Sequence, residues 1–373
     1  MQHYYIRGDK KGKGFFLVAF FFIVFISWHA PIRGQSSATQ HHTSNFISTE
    51  DTTFRVMCWN VENLFDTRHD SLKNDYEYLP DALRHWNFGR YRKKLENIAR
   101  TIIAVGQWTP PALVGLCEVE NDSVLIALTR YSPLKEEGYR YVMTNSPDKR
   151  GIDVALLYQR DRFKLLSTRY IHATRSGIRT RPTRDILHVS GLLITGDTLD
   201  VMVCHLPSRY GGASISEPDR LYVAGIIRKE ADSLMSIRQH PQLIIMGDFN
   251  DYPTNRSISQ IIGAKAPPTH PETLKLYHLL ARKALNQDFG SYKFHGEWGL
   301  LDHFIVSGTL LNQGSAFHTS EAKADVARLP FLLEEDTKYG GVQPFRTYRG
   351  MKYESGYSDH LPIYADFRIG KND

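Results

Sequence analysis

At 373 residues, with 42% hydrophobic and 23% charged side chains, the chain is long enough for one large core and too apolar to be disordered throughout. Its formal charge is +6, but residues 1–30 hold four Lys or Arg against one Asp and leave about +3 for the rest, too mild to argue nucleic-acid binding from charge alone. Cys58, Cys117 and Cys204 each lie inside an apolar run and read as buried thiols, which excludes a disulfide-dependent scaffold.

The first 30 residues stand apart. Arg7, Lys10, Lys11 and Lys13 precede an apolar run from Phe15 to Trp28, with small Ala30 after it. The run is short for a membrane span and has the length of a secretory signal, so a signal peptide is expected, with an uncleaved anchor as the alternative. Either fits a secreted or periplasmic protein. Residues 31–52 are rich in Ser, Thr, Gln and His without periodicity and read as a flexible linker to a domain over residues 53–370.

Within that domain the first predicted strand is 54–60, ending at Asn60. Leu95, Ile98, Ile102 and Val105 recur at helical spacing over 90–105, and the Arg and Lys residues between them read as a solvated face. An apolar run over 112–117 delivers Glu118, and Asn121 or Asp122 can cap a helix over 123–131. Strands are expected at 139–144, 152–158 (with Asp153 near its start), 163–171 and 186–194. The last two are separated by a basic loop containing Arg181 and Arg184. A strand from Thr198 hands His205 to a Pro/Gly loop, and Pro218 marks the expected start of a helix running to about Arg238.

Gln242 to Asp251 organises the rest. Leu243, Ile244, Ile245 and Met246 form an unbroken apolar run, as in a strand covered on both faces. Gly247 follows, then Asp248 and Asn250, whose spacing of two would put both side chains on one side of an extended tip. An Asx turn between strand and helix would explain the same residues. Helices are expected at 254–262 and 272–285, a strand ending near Val306 carries Asp302, and 308–356 is irregular. The final strand carries Asp359, His360 and a run to Phe367. About ten strands with helices interspersed, several following one another directly, favour mixed sheets with helices outside.

Each polar strand end has an ordinary explanation alone. Together, and in this order, Trp59-Asn60, Glu118-Val119, His205, Gly247-Asp-Phe-Asn250, Asp302 and Ser358-Asp-His360 resemble the endonuclease/exonuclease/phosphatase superfamily, the metal-dependent phosphoesterases that include deoxyribonuclease I. The resemblance spans residues 54 to 368. It implies a four-layered α/β sandwich of two face-to-face mixed β-sheets flanked by helices, with the site at their common rim. It also implies that Glu118 is the principal metal ligand, with Asn60 and Asp359 beside the same ion. Asp248 and Asn250 would hold the attacking water and the scissile phosphate. His360, oriented by Asp302, would take the water's proton or stabilise the phosphorane. His205 would donate to the phosphate or the leaving oxygen. Apart from the resemblance, a neighbouring carboxylate fixes a histidine's tautomer, and Asp153 is the candidate partner of His205. An arginine of the basic loop contacts phosphate in the family; Arg184 matches best and Arg181 competes. Two departures are visible: Lys149-Arg150-Gly151 stands where many nucleases of the family have a tyrosine, and Glu120 where deoxyribonuclease I has a basic residue.

The chemistry asks for these residue types. A phosphodiester is anionic, and Mg²⁺ or Mn²⁺ held by few carboxylates with waters remaining offsets the developing charge. Histidine titrates near neutrality and serves as acid or base. The superfamily does not name the substrate. Expected export, His205, the loop after it and Arg181-Pro-Thr-Arg-Asp185 resemble secreted bacterial nucleases, so a DNA or RNA substrate is expected. A phosphatase or phospholipid phosphodiesterase is the enzymatic alternative, and a non-catalytic binding module the other class.

Overall fold

Among the described residues two strand pairs run parallel, and each needs a long crossover that a helix supplies. The computed structural model describes residues 52–175 and 182–370, so the expected signal segment, almost all of the linker and Arg181 lie outside the described residues. In chain order the elements are β1 (Thr52–Leu64), α1 (Phe88–Gly106), β2 (Leu113–Val119), α2 (Asp122–Tyr131), β3 (Arg140–Met143), β4 (Asp153–Tyr158), β5 (Phe163–Ile171), β6 (Ile186–Leu193), β7 (Thr198–His205), α3 (Ala213–Ile237) and β8 (Gln242–Asp248). After a π-helical turn at Ser257–Ile262 come β9 (Leu276–His278), β10 (Tyr292–Phe294), β11 (Glu297–Gly299), β12 (Asp302–Ser307), β13 (Phe317–His318), β14 (Ala324–Val326), β15 (Leu333–Glu335), β16 (Val342–Pro344), β17 (Tyr348–Arg349), β18 (Lys352–Tyr353) and β19 (Ile363–Ile369).

One sheet has the order β13-β19-β1-β2-β4-β3, with β14 also on β19, and the other β5-β6-β7-β8-β12-β9. The parallel pairs are β1/β2, crossed by α1, and β7/β8, crossed by α3. Both sheets are mixed, and helices flank them. The unbroken apolar run of β8 follows from burial on both faces. Ile244 and Met246 join the large core shared with β1, β2 and β4, whereas Leu243 and Ile245 pack with Ala224, Ile227, Ala231 and Leu234 of α3. Cys58, Cys117 and Cys204 are buried and free.

Four local expectations are corrected. Residues 272–285 are not a helix, because Leu276–His278 pairs antiparallel with Ile305–Ser307 and edge pairing overrides the local periodicity. α3 begins at Ala213, ahead of Pro218; Arg220 donates to the Ala213 carbonyl in that first stretch. β19 begins at Ile363, so Asp359 and His360 sit on the loop leading into it. Lys94 of α1 is not on a solvated face: it is 1% exposed, and its Nζ donates to the Tyr357 carbonyl at 2.6 Å and to Thr347 Oγ1.

Candidate active site

Register alone brings three site residues to one line. β7 and β8 pair His205 with Asp248, and β8 and β12 pair Asp248 with Asp302. Gly247 makes this possible: its φ is +148°, and a Cβ there would lie 1.8 Å from the Cys204 carbonyl oxygen. On the facing sheet Asn60 pairs with Cys117 of β2, and a bulge follows at Glu118, whose φ is +68°. The bulge turns a carboxylate toward the rim from a strand that is otherwise apolar. Its Oε2 accepts the Asn63 N–H at 2.9 Å, from a backbone that is itself left-handed.

The two sheets meet at the Asp248 carboxylate. Asp248 Oδ2 lies 3.0 Å from Asn60 Nδ2, 3.5 Å from His205 Nε2 and 3.9 Å from His360 Nε2. Glu118 Oε1 closes the group, 3.4 Å from Asn60 Nδ2 and 4.0 Å from His205 Nε2. Asp248 Oδ1 accepts the Asn250 N–H at 2.8 Å, and Asn250, with φ +52°, gives its Nδ2 to the Leu206 carbonyl.

His360 is located at three points although it lies on a loop. Ser358 Oγ donates to the Asn60 carbonyl at 2.7 Å and accepts the His360 N–H at 3.1 Å, while the Trp59 indole donates to the His360 carbonyl. The ring is set by Asp302, whose Oδ2 is 2.7 Å from Nδ1 and also accepts from Ser291 Oγ. Trp59-Asn60 and Ser358-Asp-His360 therefore act as one clamp between β1 and the loop before β19.

These surroundings push the two imidazoles apart. Burial lowers the His360 pKa, but Asp302 and Asp248 outweigh it and hold the ring well above the ordinary histidine value. Burial, with Arg184, Arg150 and His360 adding to it, holds His205 well below that value. His205 Nδ1 is buried without a partner. Burial, assisted by Asp302 and opposed by His360, raises the Asp248 carboxyl to about 7. Groups whose surroundings drive them in opposite directions are the usual basis for dividing acid and base roles.

Three expected site residues are placed differently. Asp153 does not reach His205: its Oδ1 is taken by the Thr144 and Ser146 hydroxyls and the Ser146 N–H, inside the turn before β4. Arg184 does not face an open cleft. It is 5% exposed, and its Nε and Nη2 donate to the His205 and Leu206 carbonyls while Nη1 meets Asp148 at 3.3 Å, so it fastens the loop after β7. Asp359 is held by Arg346 at 2.9 Å, and no hydrogen bond joins it to Asn60 or Glu118 among the described residues. Glu120 is also structural, accepting the Asp66 N–H at 2.6 Å; burial raises its carboxyl to about 8.

Asp251 was not singled out by spacing. It is 1% exposed and gathers Arg220 Nε at 2.8 Å, Arg209 Nη2 at 3.2 Å and Ser257 Oγ at 2.6 Å, while Arg209 Nε holds the Asn250 carbonyl. A carboxylate directly after Asn250 was the available signal. Arg346 lay in a stretch without periodicity and carried no signal.

Among the described residues no three or more His, Cys, Asp or Glu side chains close into a metal cage. The donor chemistry nevertheless fits a hard cation: the Glu118 and Asp248 carboxylates come together at Asn60, whose Nδ2 faces both while its Oδ1 accepts the Glu62 N–H at 3.0 Å. Mg²⁺ takes one or two carboxylates and keeps waters, so it needs no closed cage.

A model of the Endonuclease/Exonuclease/phosphatase family matches residues 55–369. No curated protein matches the chain. An endonuclease/exonuclease/phosphatase family protein from Bacteroides thetaiotaomicron is similar at 16% identity and TM-score 0.54, over 85% of this chain and 98% of that one. A mannosyl-6-phosphatase of the same organism aligns at 16% identity and TM-score 0.52, over 85% and 100%. D. rerio TDP2 complexed with a single-strand DNA product aligns at 14% identity and TM-score 0.51, over 86% and 100%. At these identities the solved structures show the fold. With the matched model covering both sheets and the whole rim cluster, the chain belongs to the endonuclease/exonuclease/phosphatase family and is a phosphoesterase.

Proposed function

We propose that the protein is an exported phosphodiesterase that uses Mg²⁺ or Mn²⁺ and acts on nucleic acid. One observation carries the reading: Asn60, Glu118, His205 and His360 converge on the Asp248 carboxylate, with Asp302 behind His360. Glu118 would hold the ion, joined by Asn60 if its carboxamide turns Oδ1 from the Glu62 N–H toward the site and by Asp359 if Arg346 releases it. A bound divalent ion supplies charge to the phosphoryl oxygens and lowers the pKa of a bound water.

The chain's own groups then divide the proton work. Asp248, raised toward neutrality, accepts the proton of the attacking water, and Asn250 steadies the loop that presents it. His360, kept cationic by Asp302, offsets charge on the phosphoryl group. His205, neutral and with Nε2 toward the carboxylates, would give an N–H hydrogen bond to the leaving oxygen as the P–O ester bond breaks, and that oxygen takes its proton from water. Arg184 contributes by holding the His205 and Leu206 carbonyls rather than by touching phosphate.

Nucleic acid is favoured by a run of rings leading outward from the site. Tyr292 lies 4.9 Å from His360 and stacks at 6.5 Å with Phe294, which is 57% exposed and stacks on His295 at 4.0 Å. Stacked aromatic faces suit bases of a single strand. The test is a panel with Mg²⁺: plasmid DNA, RNA, inositol phosphates and sphingomyelin. Nicked plasmid or cut RNA is expected; cleavage confined to the inositol phosphates or sphingomyelin would replace the nucleic-acid reading.

A further inference from the structure

Beside the rim cluster lies a pocket of about 240 Å³ that the catalytic reading leaves without a task. Asp248, His205 and His360 do not line it, yet it shares walls with the cluster. Asn63, whose N–H holds Glu118 Oε2, is one wall, and Arg346, which holds Asp359, is another. Glu62 and Asn63 are both left-handed, with φ of 53° and 56°, a conformation costly for two successive non-glycine residues. That strain lets one short segment serve the cluster on one side and the pocket on the other.

The pocket is rich in unspent donors. Arg84 uses Nε on Glu77 and Nη1 on the Gly350 carbonyl, and its guanidinium lies over the Tyr78 and Tyr348 rings at 5.3 and 5.1 Å. Arg346 uses Nε on Glu62 and Nη2 on Asp359. Arg84 Nη2, Arg346 Nη1, the Tyr78 hydroxyl and the Asn63 carboxamide make no hydrogen bond among the described residues. The one carboxylate in the wall, Glu62, has its oxygens taken by Arg346 and the Thr347 N–H. Two guanidiniums, a phenol and an amide facing one cavity suit an acceptor-rich anion. The cavity is smaller than the 300–1,000 Å³ typical of whole-ligand sites, so it suits one group rather than a nucleotide.

We propose that this pocket binds a second, non-scissile phosphoryl group of the substrate, making the enzyme selective for phosphodiesters that carry a neighbouring phosphate. The inference rests on the phosphodiesterase reading above. The extra phosphate comes from either a nucleotide chain or a phosphorylated polyol, and the two share the same recognition chemistry.

The experiment compares kcat/KM within two substrate pairs: the dinucleotide TpT with and without a 5′-phosphate, and glycerophosphoinositol with and without a 4-phosphate. Bis(4-nitrophenyl) phosphate, which has one phosphate, is run alongside. The phosphorylated member of at least one pair is expected to be preferred about tenfold or more, the scale of one charged hydrogen bond, and the preferred pair names the source. Arg84→Ala should bring that ratio close to one. Tyr78→Phe, which keeps the ring under Arg84, should lower it in part, and because each ratio is internal to one variant, a partly unfolded sample does not mimic the result. Turnover of bis(4-nitrophenyl) phosphate with no preference in either pair, with neither pair cleaved, or with a preference that survives both substitutions overturns the pocket. Absence of turnover on every substrate would instead remove the hydrolase reading on which it stands.

Discussion

His205, Asp248 and Asp302 reach the rim at the ends of three adjacent strands, whereas Asp359 and His360 arrive on a loop and Glu118 on a bulge. The first group is placed by register: once β7, β8 and β12 pair, no further contact is needed to align them. The second group is placed by individual hydrogen bonds with Ser358, Trp59, Asn63, Asp302 and Arg346. Strand-end residues should therefore be hard to displace without unfolding the sheet, and loop residues should be displaced by losing one bond.

The largest effect should come from Gly247→Ala. A Cβ 1.8 Å from the Cys204 carbonyl, at a φ of +148°, cannot be accommodated while β7 and β8 stay paired. A loss above about 3 kcal/mol is expected in thermal or urea unfolding; a near-normal melt would mean that the close approach of these strands is not what aligns His205 with Asp248.

Asp302→Asn comes next, because it leaves the strands intact while removing the partner of His360. Turnover should fall by about 10²-fold or more, the usual scale for losing an oriented acid or base. The same variant tests a pH effect. Folding raises the His360 pKa, so the native state keeps a proton that the unfolded chain releases. That contribution is complete below about pH 6.5 and is lost as pH rises through the higher native value, with a slope of at most about 1.4 kcal/mol per pH unit. Asp248, raised to about 7, gives the same sign in the lower window between its unfolded value and 7. In urea unfolding of metal-free protein in EDTA, the stability lead of the wild type over Asp302→Asn should shrink as pH rises from 6 to 9; the buried His205, His278 and His303, whose pKa values are lowered, act in the other direction in both proteins and cancel in the difference. A lead that stays constant would remove Asp302 as the source of the His360 charge.

Ser358→Ala probes the loop side. It deletes the bonds to the Asn60 carbonyl and the His360 N–H, at a cost of about 1 kcal/mol each in stability. Activity should fall more steeply than stability, since small displacements of a catalytic group are expensive. Equal losses would show that the clamp holds the fold and not the ring. The smallest effect on chemistry is expected from Asp153→Asn, which should cost stability through Thr144 and Ser146 and leave the pH dependence of turnover unchanged.

The same division explains what could be read in the sequence. The β8 run announced a strand buried on both faces, and β7 and β12 carried apolar runs, broken by Asp200 and His303, that bear His205 and Asp302, so the sheets and their rim were legible. The extent of β19 was not, because the apolar residues after His360 continue a strand pattern that Ser358 and Trp59 interrupt from a distance. Lys94 and Arg346 were invisible for a related reason: groups that hold them, Tyr357 and Glu62, lie some 250 or more residues away along the chain. Asp153 and Arg184 had the right types at the right positions along the chain, and only the local turn and the two carbonyls that claim them decide where they point.

Hydrolysis of bis(4-nitrophenyl) phosphate by the intact protein tests the central claim most directly, measured with Mg²⁺, with excess EDTA, and for Glu118→Ala at matched folding by circular dichroism. The account predicts turnover with Mg²⁺ that EDTA abolishes and that Glu118→Ala lowers by about 10²-fold or more. Turnover unaffected by both would contradict it, because the carboxylate that the β2 bulge turns into the rim would then have no part in the reaction.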